Sequence, residues 1–278
     1  MELKLQSILF PDKEEYTDYA DLFYKGGLGI QDKAEQCFVF SKYSTCDFGA
    51  YLNAFSMKKW KKHTKIGQTS LKLVIKGDFE LVLSGYHRIE ESAKRDVLLK
   101  KEYHCDEKTE ISVNIPNNKE TLVAFELRMY SDCYVYDGGY YAEVNEEEFN
   151  EVRLSIATTT FKKEDFIRKN VKMIKDEILS KDDIIGRILS AEEFEGEHVY
   201  YHRNKNVGGS GGFTRGMIES LQQKPKATHV LLMDDDVVVL SESIKRTYLM
   251  LLLVKPKYKE YIISGAMLCY EEMDVFHE

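Results

Sequence analysis

Apolar and polar positions follow two different grammars along this chain. Up to about residue 150 the apolar residues come in short runs, most of them alternating with polar ones. Leu71-Lys-Leu-Val-Ile75 and Phe79-Glu-Leu-Val-Leu-Ser84 are such runs, split by a Lys-Gly-Asp stretch that predicts a turn. Glu110-Ile-Ser-Val-Asn-Ile115 alternates and stops at Pro116. Leu122 to Tyr130, Tyr134-Val-Tyr136 and Tyr140 to Val144 follow, the last two divided by Asp137-Gly-Gly139. A period of two marks half-buried strands, and Gly, Asn and Pro at short intervals mark the connections, so residues 1–150 are expected to form a β-sandwich or jelly roll. Glu146-Glu-Glu148 reads as a polar hinge.

After Val152 the pattern changes. Arg153-Leu-Ser-Ile-Ala157 reads as a strand, and Ile167, Val171, Ile174 and Ile178 fall at helical spacing. His198 to Tyr201 predicts a second strand, and a glycine-rich turn is expected to lead into a helix from about Thr214. A strand at His229 to Met233, a helix over 241–253 and a strand at Tyr261-Ile-Ile-Ser264 complete the series. Strands alternating with helices predict a mostly parallel, doubly wound α/β domain over 151–278. The fold class expected is therefore all-β followed by α/β.

The length of 278 residues fits two domains, and 43% hydrophobic residues suffice for a full core. The net charge of -8 argues against nucleic acid, whose binding proteins carry a basic footprint. Five cysteines without CxxC spacing suggest reduced thiols rather than a disulfide frame or a zinc site. Met1-Glu-Leu-Lys4 opens no signal-peptide core, and no apolar run approaches the roughly 18 residues of a membrane span. The expected compartment is the cytoplasm.

Three segments could carry chemistry. Asp234-Asp235-Asp236 ends the apolar run His229-Val-Leu-Leu-Met233. In extended backbone Asp234 and Asp236 would project together from the carboxyl end of a strand, where open α/β sheets bind ligands. Two such carboxylates repel unless a hard, oxygen-liganded cation lies between them. An acidic, solvated loop is the plain alternative. Asn206-Val-Gly-Gly-Ser-Gly-Gly-Phe-Thr-Arg-Gly216 places four glycines in five positions, which lets backbone approach a ligand, and the amino terminus of the following helix favours anions. It is neither a Walker loop nor a dinucleotide-binding GxGxxG. Thr158-Thr-Thr-Phe161 ends the first α/β strand, where hydroxyls and free amides could hold a nucleobase.

Together, Ile156-Ala-Thr-Thr-Thr-Phe161, the Gly-Gly-Ser-Gly-Gly-Phe-Thr-Arg-Gly216 string and Leu232-Met-Asp-Asp-Asp-Val237 resemble the motifs of family 2 glycosyltransferases, most closely the bacterial galactofuranosyltransferases that build cell-wall galactan. Phe48-Gly-Ala-Tyr-Leu-Asn-Ala-Phe55, with Trp60 and Thr64 downstream, is similar to their amino-terminal β-sandwich, and Asp137 to Glu143 matches it in style.

The resemblance implies a GT-A domain that uses a UDP-sugar and Mn²⁺ or Mg²⁺. By position, Thr159, Thr160 and Phe161 would border the uridine. Gly208, Gly209, Ser210, Gly211, Gly212 and Arg215 would line the donor or acceptor pocket. Asp234 and Asp235 would meet the donor, and Asp234 and Asp236 would bind the metal that bridges the diphosphate. The reaction implied is inverting transfer, with galactofuranose the best donor guess and a cell-surface glycan or lipid-linked precursor as acceptor. The inner face of the plasma membrane is then a natural location, and self-association is left open.

The chain departs from the family pattern in three places. Asp183 to Ser190 lacks the terminal acid of the family's second strand. Lys162 and Lys163 stand where Asn and Arg are common. The family's catalytic carboxylate and metal-binding histidine are expected beyond Glu278, as is a carboxy-terminal region that would touch the membrane. Glu271, Glu272, Asp274 and His277 read as terminal residues rather than substitutes, so this chain is expected to hold a donor without completing transfer. The rival reading is a carbohydrate-binding or assembly module with a vestigial catalytic half, using Tyr130 to Tyr141 as a stacking platform. A metal-dependent nucleotidyltransferase is a third. Lys58-Lys-Trp-Lys-Lys-His63 reads as a solvated turn with Trp60 packed inward, and otherwise as a contact for anionic glycans or lipid headgroups.

Overall fold

The structure is a computed structural model and describes all residues except 90–91, 117–121, 162, 180–201, 203, 206–207, 270–271, 274 and 276–278. The expectations for 183–190, for the strand at 198–201, and for Lys162, Glu271, Asp274 and His277 lie outside the described residues. The chain divides into two units, Met1–Glu148 with Val254–Glu260 and Ala266–Glu278, and Phe149–Leu253 with Tyr261–Gly265.

In the first unit, Leu71, Leu73 and Ile75 are buried, Lys72 is half-buried and Lys76 exposed, which is the period-two pattern of a strand with one face inward. Phe79, Leu81 and Leu83 are buried in turn, and beyond the bulge the other face is covered as well, at Val82 and Ser84. The strands in chain order are β1 (Glu2–Ser7), β2 (Lys25–Gly26), β3 (Gly29–Asp32), β4 (Cys37–Phe40), β5 (Thr45–Asp47), β6 (Thr69–Ile89), β7 (Ser92–Ile115), β8 (Leu122–Met129) and β9 (Cys133–Glu143); among the described residues the unit also holds an α-helix, α1 (Met57–His63), and short 3-10 turns, the longest over Glu14–Leu22. They form one curled antiparallel sheet in the order β2-β5-β8-β6-β9-β4-β3, with β1 on β9 and β7 along β6. The first half of β6 pairs with β9 and the second half with β8, so this single strand carries the curl.

Two predicted turns are corrected here. The Lys-Gly-Asp stretch is a bulge inside β6, not a hairpin. Gly77 there has φ +122°, and a Cβ would stand 2.7 Å from the Asp132 carbonyl oxygen, so only glycine lets the strand bend against the β8–β9 connection. Asp137-Gly-Gly139 likewise runs inside β9, because Gly138 leaves room for Leu73, whose Cδ2 lies 2.7 Å from where a Cβ would be. Inside the curl sit stacked rings, with Phe48 4.5 Å from Phe125 and Phe55 4.7 Å from Tyr140 between centroids. Asn53 is fully buried and saturated: its amide donates to the carbonyls of Leu9 (2.8 Å) and Phe23 (2.7 Å), and its oxygen accepts from the Leu9 N–H (2.7 Å).

The second unit has two parallel strands, β10 (Leu154–Thr158) and β11 (His229–Met233). Its helices are α2 (Glu164–Met173), continued by a π-helical turn over Ile174–Leu179, α3 (Gly208–Gln222) and α4 (Ser241–Leu253). A wider doubly wound sheet is not formed among the described residues. Tyr261 to Ser264, predicted as a strand, joins no ladder among the described residues and leaves Ile262 95% exposed. Apolar sequence alone does not make a strand.

Candidate functional site

The candidate site is built at one end of the second unit. Strands β10 and β11 run in register from Leu154 opposite His229 to Thr158 opposite Met233. The next residues, Thr159 and Asp234, therefore leave the two strands side by side. Threonines and β-branched neighbours suit the strand, and the acidic triplet ends it because three like charges resist a common extended ribbon.

Helix α3 packs on β10 through a stripe of small residues. Thr159 Oγ1 would lie 2.0 Å from a Cβ on Gly212, and Ala157 Cβ 2.7 Å from one on Gly216. Ser220 Oγ sits 2.7 Å from Ser155 Oγ. Four helical residues advance about 6 Å and two strand residues about 6.6 Å, so the i, i+4 stripe matches the i, i+2 face. The pairing runs antiparallel, which carries the amino-terminal turn of α3 past Thr159 to the same edge as the aspartates.

This corrects the expectation of a flexible glycine turn ahead of a helix at Thr214. The helix begins at Gly208, and Gly209, Ser210, Gly211 and Gly212 all belong to it. Gly208 has φ +74° and starts the helix from a conformation few other residues adopt. Gly208, Gly209 and Ser210 are exposed, and the first turn of the helix holds no acidic residue.

The acidic triplet does not stay extended. Strand β11 ends at Met233 and a turn begins at Asp235, so the simple alternation that would aim Asp234 and Asp236 together does not apply. Instead the Asp235 carboxylate accepts a hydrogen bond from the Phe161 N–H at 3.2 Å, tying the triplet to the TTTF segment. Asp236 faces the Lys163 ammonium at 3.7 Å. Asp234 and Asp236 are exposed, as is Thr160, while Thr159 is half-buried and Phe161 is 67% exposed.

Arg215 pairs with Glu219 one turn along α3, and His202 Nδ1 also approaches Glu219, at 3.8 Å. Its guanidinium is thus engaged within the helix rather than with the strand ends. Sequence reasoning missed Asn170. It is buried on α2 and donates from Nδ2 to the Val237 carbonyl at 2.8 Å, clamping the segment that follows the aspartates. A polar residue on the apolar side of the Ile167–Val171–Ile174 pattern was the available signal.

Among the described residues no three acidic, histidine or cysteine side chains gather as a metal-binding group. The donor chemistry of Asp234 and Asp236 nevertheless fits a hard divalent ion. Magnesium and similar ions are held by one or two carboxylates, with phosphate oxygens and water completing the shell.

No protein-family profile matches the chain. Among curated proteins it is similar to galactofuranosyltransferase GlfT2 of Mycobacterium tuberculosis, 22% identical over 257 residues that cover 84% of this chain and 38% of that protein. GlfT2 of Mycolicibacterium smegmatis is 21% identical over 255 residues, with the same shares. The chain is thus distantly similar to these two glycosyltransferases and spans 38% of their length. Among solved structures, the Clostridium thermocellum xylanase 10B CBM22-1–GH10 modules complexed with xylohexaose align with a TM-score of 0.35 and 12% identity, covering 63% of this chain and 36% of that one. A score that low carries no argument.

Proposed function

We propose that this protein is a metal-dependent glycosyltransferase of the GT-A type whose second unit binds a UDP-sugar. One observation supports this reading above the others: the TTTF segment, the glycine-rich helix start and the acidic triplet converge on one strand edge, joined by the Gly212–Thr159 contact and the Asp235–Phe161 hydrogen bond. Exposed helix amides favour the diphosphate, and Asp234 and Asp236 hold the Mn²⁺ or Mg²⁺ that accompanies it. When bound, that ion neutralises charge developing on the departing UDP. Thr159, Thr160 and the Phe161 ring border the uridine. The donor this unit would hold is UDP-galactofuranose, and the reaction it would serve is inverting transfer to a cell-surface or lipid-linked glycan at the cytoplasmic face of the membrane.

The test is thermal. UDP with Mn²⁺ raises the melting temperature by linkage, and CTP or GTP with Mn²⁺ does so less. UDP-galactofuranose raises it more than UDP-galactopyranose. An equal shift in the Asp234→Asn/Asp236→Asn variant, or no shift with any nucleotide, overturns the reading.

A further inference from the structure

Helix α1 carries Lys58, Lys59, Lys61 and Lys62 around an inward Trp60 that is 4% exposed. This corrects the expected turn to a helix and keeps its inward tryptophan. The fold brings a second cationic segment to it from almost 200 positions away. Val254 bridges to Thr64, the Lys255 N–H donates to the His63 carbonyl at 2.9 Å, and Lys255 Nζ donates to the carbonyls of Lys61 (2.6 Å) and Lys62 (3.1 Å). The Tyr258 ring stands 4.5 Å from the His63 ring, which places Lys257 and Lys259 beside the helix. Sequence separation hid this cluster, since neither segment alone exceeds a short basic run.

The cluster is held together against its own repulsion. His63 has its pKa lowered by burial and then by Lys62, Lys255, Lys257 and Lys59, which reports a positive potential at the centre of the patch. Lys58, Lys59, Lys62, Lys257 and Lys259 are exposed, and none forms an ion pair with another described residue. In a chain of net charge -8, such a concentration of unneutralised lysine requires an anionic counterpart.

The chemistry of the patch narrows that counterpart. All its permanent charges are lysines, compact ammonium groups on flexible stems, without the arginine forks that grip individual phosphates bidentately. The neighbouring recess, lined by Lys65, Gly67, Glu143, Asn145 and Glu148, carries two carboxylates, which disfavour a small anion there. Exposed lysines spread over two segments suit a fluid sheet of anionic headgroups.

We infer that the lysine face formed by α1 and residues 255–259 docks the protein on an anionic lipid bilayer. The acidic remainder of the molecule is repelled by the same surface, so the attraction also fixes orientation. The inference does not use the nucleotide site and stands or falls separately from it.

Vesicle co-sedimentation of the full chain tests it, without nucleotide or metal. The protein binds phosphatidylcholine–phosphatidylglycerol vesicles at low ionic strength, binds phosphatidylcholine vesicles far less, and is released by salt. Each patch lysine contributes about five-fold to partitioning, so Lys58→Gln/Lys59→Gln/Lys62→Gln/Lys257→Gln lowers it at least about a hundred-fold. Lys33→Gln/Lys42→Gln/Lys100→Gln/Lys101→Gln removes equal charge elsewhere and lowers it little. An unchanged melting temperature shows that the exposed substitutions leave the fold intact. Equal loss in both variants, or no binding to anionic vesicles, overturns the inference. So does binding to soluble dextran sulfate through these lysines while vesicles are ignored, which would identify an anionic polymer as the ligand instead.

Discussion

Gly212 on α3 lies directly against Thr159 at the end of β10, so closely that a Cβ would meet the threonine hydroxyl at 2.0 Å and its Cβ at 2.5 Å. The glycine-rich helix start is therefore not a slack loop. It is the means by which a helix reaches the strand edge where the acidic triplet also ends. Glycine costs a helix up to about 1 kcal/mol per residue relative to alanine, and here the loss is accepted for the close approach.

Gly212→Ala is expected to destabilise the second unit by about 1–3 kcal/mol, because Thr159 Cβ is fixed directly to the backbone and cannot rotate away. It also weakens UDP binding, since the helix start moves off the strand end. Gly209→Ala is the control. Its nearest neighbour is Phe213 Cε2 at 4.0 Å, so the added methyl meets open space and raises stability by about 0.5–1 kcal/mol. Denaturant melts followed by hydrogen exchange of second-unit amides separate the two, and an equal effect at both positions would remove the close-packing argument.

Asp235→Ala is expected to free the Phe161 amide and lower stability by about 1 kcal/mol. Asp235→Asn keeps an acceptor oxygen and loses less. Neither removes the metal-dependent shift caused by UDP, whereas Asp234→Asn or Asp236→Asn does. Titrating Mn²⁺ at fixed UDP and reading the melting temperature distinguishes the structural aspartate from the two exposed ones.

In the first unit, Asn53→Ala leaves the Leu9 N–H and the Leu9 and Phe23 carbonyls without their partner in a buried site, and is expected to cost about 3 kcal/mol or more. Tyr248 on α4 is the opposite case. Its hydroxyl is fully buried with no hydrogen-bond partner among the described residues, and burial raises its pKa to about 12. Tyr248→Phe removes an unsatisfied group without removing the ring, so stability is expected to rise by about 1 kcal/mol. Urea midpoints measure both.

His63 and His229 both have native pKa values below 6.5, through burial in each case and through neighbouring lysines as well at His63. The unfolded chain therefore takes up these protons first as pH falls. Stability is expected to be full above pH 7, to decline as pH drops through about 6.5, and to level off below the native values. His63→Gln and His229→Gln each flatten that decline. Added salt flattens the His63 contribution by screening the lysines and leaves the His229 contribution almost unchanged.

The tyrosines of β9 show how local reading divides. Tyr140 turns inward against Phe55, while Tyr134, Tyr136 and Tyr141 lie under the ammonium groups of Lys76, Lys108 and Lys72. The sequence marked the tyrosines, but not that lysines on adjacent strands cover three of the rings.

What the sequence determined by itself was local. Period-two runs delivered the strands of the first unit, helical spacing delivered α2, and α4 spans the expected 241–253. The chemical character of Thr159, Gly212 and Asp234 to Asp236 was equally legible, because residue type and spacing suffice for it. Tertiary structure decided whatever depends on partners far along the chain. Gly77 and Gly138 became positions within strands rather than turns because Asp132 and Leu73 press on them. Gly208 to Gly212 became helix because β10 offered a surface to pack against. Asp235 turned to the Phe161 amide, and two lysine segments almost 200 positions apart became one face. Backbone preference is set within a few residues, whereas close approach and summed charge exist only once distant segments share the same space.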